Sequence, residues 1–432
     1  MTSPESVSNP KGMRDLKSEE MKVRERMMER MKGVFRLYGF VPLETPALEN
    51  WEVLSAKGAG GEEILNETYN FEDKGGRRIG LRYDLTVPLA RFVAMNPSMP
   101  LPFKRYQLGG VWRYGDVAKG RLREFWQADI DIVGSESMLA DAEVIACTVD
   151  VFRALGFKNF TVRLNNRKIL SAMVAFAGVE GSKVDDAFRA VDKLEKVGRE
   201  KVLEELSQRG VGRDASSRLM ELLSLEGNPK ELLGKAEKLI GKAEDGRRGV
   251  EELGELLSYL EKMGVEKNVK VDFSLARGME YYTGPIFEVF FSKEIGSLAG
   301  GGRYDRMIGL FLGKEIAATG ISFGIERIAE VLEGGKKKED KSVFIACVDE
   351  GLIGEAVGMA REFRENGIPA MVDLRKRSLA KQLGYADSLK VSYVVIIGKN
   401  ELKEGKVKLR DFGSGEEKLL TADECIKLIK NR

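Results

Sequence analysis

Hydrophobic and polar positions recur along this chain with two different periods, and the changes of period divide it. From Ser18 onward Val23, Met27, Met31, Val34 and Phe35 form one stripe at helical spacing, which predicts a first helix capped by Ser18. Its methionines read as core filler. The stretch GFVPLETPALEN at 39–50 contains two prolines and suits an edge or interface strand followed by a turn. LRYDLT at 81–86 reads as a strand with Arg82, Asp84 and Thr86 on one face. Taken alone, that trio also fits a solvated sheet face.

Two longer strands are predicted at 103–113 and 125–134, joined by the charged loop YGDVAKGRLRE. In the second, Gln127, Asp129 and Asp131 share one face while Ala128, Ile130 and Ile132 share the other. Three polar groups in so apolar a strand are costly to bury without partners, so that face reads as a hydrogen-bonding site. A DxD metal pair is the competing reading. A helix at 140–155 and a short strand at 160–164 follow. From 167 to 263 Leu, Glu and Lys at helical spacing take over, predicting a helical insertion that carries no chemical cluster.

LARGMEYYTGPIFEVFF at 275–291 then sets Arg277, Tyr281 and Tyr282 in front of an apolar strand, where a cation and two phenols meet one strand mouth. The consecutive glycines Gly300, Gly301 and Gly302 allow close approach of backbone to a ligand, although such a run is also a common turn. A strand, AATGISFG, runs into the helix IERIAEVLE, so Arg327 falls in a first helical turn, where the dipole favours an anion such as phosphate. GGKKKEDK at 334–341 reads as a linker. Beyond it, strands and helices alternate as in a small α/β domain with a parallel sheet. There Arg375, Lys376, Arg377 and Lys381 are candidates for phosphate contact, or a solvated helix start.

Composition narrows the chemistry. A chain of 432 residues exceeds one ordinary core, so two or three domains are expected. No apolar run approaches the roughly 18 residues that span a bilayer and no charged-then-apolar leader opens the chain, so a cytoplasmic location is expected. Cys147, Cys347 and Cys425 are too far apart for a CxxC pair and read as buried inert thiols. Histidine is absent, which removes His-dependent triads and HExxH zinc sites. Chemistry must therefore rest on carboxylates, arginines, phenols, backbone and a bound ion. The net charge of +2 gives no overall attraction to nucleic acid and leaves only local patches.

Together PKGMRDL, GFVPLETP, LRYDLT, VWRYG with GRLREFWQADIDIVG, LARGMEYYTG, GGGRYD, GISFGIERI and KQLGYADSLK resemble the histidyl-tRNA synthetase family of class II aminoacyl-tRNA synthetases. They span nearly the whole chain outside the helical stretch. The resemblance implies an α+β catalytic domain with an antiparallel sheet at 1–333, a helical insertion at 167–263 within it, and a C-terminal α/β anticodon-binding domain at 341–432. It implies activation of L-histidine by ATP and Mg²⁺, then transfer to tRNA(His), by a homodimer whose interface motif is GFVPLETP. Charge develops on phosphate in both steps, so fixed cations are the expected catalysts. By the family's pattern Arg113 and Arg277 approach the reacting α-phosphate and carboxylate, while Arg121 and Arg327 hold the outer phosphates with Mg²⁺.

Asp84, Thr86 and Gln127 would take the α-ammonium group, and Asp131 and Tyr282 the two imidazole nitrogens, with Tyr281 and the glycines shaping the wall. A neutral imidazole needs one acceptor and one donor, which a carboxylate and a phenol supply. Aspartates at 84 and 131, rather than glutamates, resemble the archaeal and eukaryotic branch. Gly115 departs from the pattern, because it stands where the family usually has an acidic adenine contact, and Asp116 follows it. The alternative is a histidine-sensing regulatory subunit of ATP phosphoribosyltransferase, which resembles the catalytic domain but typically lacks the tail and lets its phosphate-binding arginines drift. A non-catalytic RNA-binding protein is a third reading.

Overall fold

The computed structural model describes residues 7–56, 61–118, 121–276, 281–292, 295–333 and 341–431. Two compact units divide the chain, Met1–Gly334 and Gly335–Arg432. In chain order the strands of the first are β1 (Val41–Pro42), β2 (Leu48–Asn50), β3 (Asn70–Glu72), β4 (Arg78–Leu81), β5 (Phe103–Trp112), β6 (Glu124–Val133), β7 (Thr161–Asn166), β8 (Val269–Val271), β9 (Pro285–Ser292), β10 (Gly296–Arg303) and β11 (Ala318–Gly324). Those of the second are β12 (Val343–Cys347), β13 (Ala370–Val372), β14 (Tyr393–Ile397), β15 (Val407–Asp411) and β16 (Glu417–Leu420).

Eight strands form the main sheet in the order β1-β5-β6-β11-β10-β9-β7-β8. Its interior pairings are antiparallel, and the edge strands β1 and β8 pair parallel with β5 and β7. Strand alternation gives the sheet two unlike faces. Tyr106, Ile130 and Phe323 lie on one, where Phe35 of the Ser18–Leu37 helix and Phe152 of the Met138–Ala154 helix stack against them with ring centroids 5.6–6.0 Å apart. Each such buried ring contributes roughly 1.5–3 kcal/mol. The other face carries Arg105 and Gln107 from β5, Gln127, Asp129 and Asp131 from β6, and Ser322 from β11. That polar face holds the site.

Several local expectations change. Ser18 is the first residue of its helix rather than the cap; the Glu20 carboxylate accepts the Lys17 N–H at 3.0 Å. LRYDLT is not a strand. β4 ends at Leu81, and a helix begins at Thr86 because Asp84 Oδ1 accepts the N–H groups of Thr86 and Val87 at 3.2 and 3.0 Å. Arg82 is not in a shared polar trio: it is buried, donating to the carbonyls of Gly110 and Thr45 at 2.9 and 2.5 Å. The three glycines form strand rather than turn. A Cβ at Gly301 would lie 2.0 Å from the Gly320 carbonyl, and one at Gly302 2.8 Å from the Tyr282 ring, so β10 fits between its neighbours only without side chains.

The stretch beyond Asn166 is helical from Arg167 to Lys262, and its last helix, Glu244–Lys262, packs on the Met138–Ala154 helix. It belongs to the first compact unit. In the second unit the sheet is mixed rather than parallel: β13-β12-β14 are parallel, and β15 and β16 extend it antiparallel. The connection through the short Lys399–Lys403 helix turns the chain back at β15, and the GSG turn after Phe412 reverses it again into β16. The linker expected at 334–341 lies outside the described residues except for Lys341.

Candidate active site

A cavity of about 650 Å³ opens on the polar face of the main sheet. Asp84, Thr86, Arg113, Arg121, Gln127, Tyr281, Tyr282 and Arg327 all line it, although they come from five separate parts of the chain. Asp131 does not line it. Its Oδ1 accepts from the Tyr304 hydroxyl and its Oδ2 faces Arg105 Nη2 at 2.8 Å, off the axis of a directed hydrogen bond. The ladder sets Arg105 directly across from Asp131, and a guanidinium this deeply buried draws the carboxylate toward itself. Arg277 lies outside the described residues.

The cavity has two chemically different ends. At one, Asp84, Gln127 and Asp129 contribute oxygens, with Ser322 beside them. Burial raises the Asp84 pKa to about 6, held back by the Val87 N–H and the Arg113 charge. Burial also raises Asp129 and Asp131, with Arg105 opposing it in both. The Tyr281 and Tyr282 rings meet at 4.7 Å, tilted by 60°, beside this end, and Tyr304 meets Tyr281 edge-on at 6.1 Å. Gly109 and Gly324 flank Gln127 in the ladder; a Cβ at Gly109 would lie 2.4 Å from Arg82 Nη2, so that glycine makes room for the buried guanidinium, while at Gly324 nothing lies nearer than 3.6 Å.

The other end is cationic. Arg113 is anchored by Nε to the Tyr83 carbonyl at 3.0 Å and lies 5.4 Å from the Phe125 ring centroid. Arg327, in the first turn of the Ile325–Glu333 helix, donates from Nη1 to the Ser297 carbonyl at 2.9 Å. Burial and the Arg121 charge both lower its pKa, with Glu288 and Glu330 opposing them. The neighbouring Glu326 is bound instead to Trp126 N–H at 2.9 Å and to Arg24 at 3.4 Å, which closes the floor.

Arg105 and Gln107, which stand behind the cavity without lining it, and Glu67, which lines it, carry no role in the sequence reading. Arg105 and Gln107 were legible in principle, because alternation puts them on the face opposite Tyr106. Glu67 was not: it reaches the cavity from a different segment, and a Cβ at Gly115 would lie 2.9 Å from its Oε1. The carboxylate missing at 115 thus has a near neighbour supplied from elsewhere.

An antiparallel sheet with arginines on one face, joined to a separate mixed α/β unit, is the architecture of a class II aminoacyl-tRNA synthetase. The crystal structure of histidyl-tRNA synthetase from Nostoc sp. PCC 7120 superposes with a TM-score of 0.87 at 30% identity, covering 99% of both chains. That of an ATP phosphoribosyltransferase regulatory subunit/histidyl-tRNA synthetase from Bacillus halodurans gives 0.78 at 27% identity, covering 92% of this chain and 99% of that one. The family model described as histidyl-tRNA synthetase matches residues 12–328, and one described as an anticodon binding domain matches 342–432. Histidine–tRNA ligase of Aeropyrum pernix is 41% identical, covering 98% of this chain and 97% of the relative, and that of Thermococcus kodakarensis is 38% identical, covering 98% of each. The chain belongs to the histidyl-tRNA synthetase family.

Proposed function

We propose that this protein activates L-histidine with ATP to histidyl-adenylate, releasing pyrophosphate, and transfers the histidyl group to tRNA(His). One observation carries the reading: a single cavity has an acceptor-rich end beside two adjoining tyrosines and an arginine-rich end built from Arg113, Arg121 and Arg327. An α-amino acid offers an ammonium group to the first and a carboxylate toward the second, where a triphosphate is the complementary guest. Arg113 stabilises charge developing on the α-phosphate, and Arg277 is assigned the same task from the other side. Arg121 and Arg327 hold the outer phosphates.

Mg²⁺ enters with the triphosphate, since that ion keeps most of its ligands as water and phosphate oxygens. Glu67 takes the acidic slot left by Gly115 and is assigned to the adenine amino group. For the imidazole, Tyr282 supplies the hydroxyl; Asp131 reaches the ring only if Tyr304 releases it. The 341–432 domain is assigned to tRNA, through Arg375, Lys376, Arg377 and Lys381. A homodimer is supported by exposed Val41 and Leu48 on the short strands β1 and β2. A cytoplasmic location accords with the finding that no helix among the described residues is long and apolar enough to cross a membrane.

Histidine-dependent exchange of pyrophosphate into ATP tests the reading. Exchange with histidine and with no other amino acid supports activation. Binding of histidine without exchange would instead support the regulatory-subunit alternative.

A further inference from the structure

Among the described residues, three oxygens at the acceptor-rich end have no hydrogen-bond partner although each is shut away from solvent: Asp84 Oδ2, Gln127 Oε1 and Asp129 Oδ1. Unpartnered buried acceptors are costly, so their occurrence in one cavity calls for a donor. In Asp84 the other oxygen is already engaged, and in Asp129 it stands at ion-pair distance from a guanidinium. Asp84 Oδ1 caps the Thr86–Met95 helix, and Asp129 Oδ2 faces Arg105 Nη2 at 4.0 Å. Asp129 and Asp84 are 2% and 5% exposed, so neither oxygen is satisfied by bulk water.

Charge points the same way. Arg105 is the cation behind this end, and it sits 2.8 Å from Asp131 but 4.0 Å from Asp129. One guanidinium therefore stands against the carboxylates of Asp129 and Asp131, while Asp84, a further anion, has the Arg113 charge beside it, so one negative charge is left over. A guest with one positive charge and three donors balances both accounts, and a primary ammonium group is that guest.

We propose that Asp129 is a binding residue for the α-ammonium group of the amino acid, completing with Asp84 and Gln127 a cage of three acceptor oxygens. This rests on the histidine-activation reading and adds to it a residue that the strand pattern set on a hydrogen-bonding face but to which the resemblance assigns no role. The groups facing Asp129 are Arg105 and Gln107 from β5, Ser322 from β11, Asp131 on its own strand, Asp84 ahead of the helix, and Tyr304 behind Asp131. Burial favours a protonated Asp129 in the empty cavity, and an arriving ammonium displaces that proton.

The test compares histidine with imidazolepropionate, which keeps the ring and carboxylate but lacks the ammonium group, by calorimetric titration of the full-length protein. Wild type should prefer histidine ~100-fold, and Asp129→Asn should cut that preference ~10-fold or more by weakening histidine alone. An unchanged preference, or equal weakening of both ligands, overturns the proposal. Equal affinity of wild type for the two ligands overturns the cage while leaving histidine recognition standing. If wild type binds neither, the substrate reading falls and the cage with it. Should Asp129→Asn fail to fold, wild type alone decides, in buffers of different ionisation enthalpy at about pH 7.5, with the proton carried by each ligand's own ring, titrated free, subtracted. Histidine should then release a fraction of a proton that imidazolepropionate does not; equal release overturns the proposal.

Discussion

Arg113 is held by one nitrogen, its Nε on the Tyr83 carbonyl, which fixes the arm and leaves the two terminal nitrogens for a phosphate. Arg113→Ala should lower the pyrophosphate-exchange rate roughly 100-fold, as loss of one oxyanion donor does, while histidine binding changes little. A stopped-flow rate beside a calorimetric affinity separates the two effects. Asp84 behaves differently. Its folded-state pKa of about 6 lies above the ordinary 3.8, so between those values the folded protein binds a proton that the unfolded chain has released. The contribution to stability is full below about pH 3.8 and is lost as pH rises through about 6. Asp84→Asn should remove that penalty, raising the melting temperature of the empty protein near neutral pH while weakening histidine about tenfold or more. Thermal melts with and without histidine check the opposite signs.

Among the elements, β11 shows how little room the sheet has. A Cβ at Gly320 would lie 2.0 Å from Asp131 Oδ1 and 2.7 Å from the Ile130 carbonyl. Gly320→Ala should therefore destabilise by roughly 1–3 kcal/mol, read as a lowered denaturation midpoint, and disturb the Asp131–Tyr304 bond. No local pattern announces this, because the constraint comes from β6 across the ladder. The strands β5 and β6 were legible because period-two alternation survives burial, and so was the polar face of Gln127, Asp129 and Asp131. The stretch 81–86 misled for a local reason: alternation suggested a strand, yet Asp84, Thr86 and Pro88 are also the residues of a helix start, and capping won. β15 and β16 were passed over although Val407 and Leu409 alternate before a glycine-rich turn. The division of labour between Asp129 and Asp131 was not legible, since it depends on which carboxylate Arg105 takes.

For the whole molecule, the cavity is built entirely within Met1–Gly334, and the second unit has its own core around Phe363 and Ile345. A chain ending at Gly334 should keep histidine-dependent exchange within several-fold but lose most tRNA charging. Comparing the two rates in one preparation tests whether activation and tRNA recognition are separable. Equal loss of both would place an essential part of the activation chemistry beyond Gly334.

The order of strands has a consequence for synthesis. β11 lies between β6 and β10, and Arg327 follows it, so the sheet cannot close around a ligand until segments from both halves of the first unit are present. A chain still emerging from the ribosome is therefore blind to the amino acid for most of its translation. Free histidine can rescue finished protein from unfolding, but it cannot guide the earlier stages by which that protein is made.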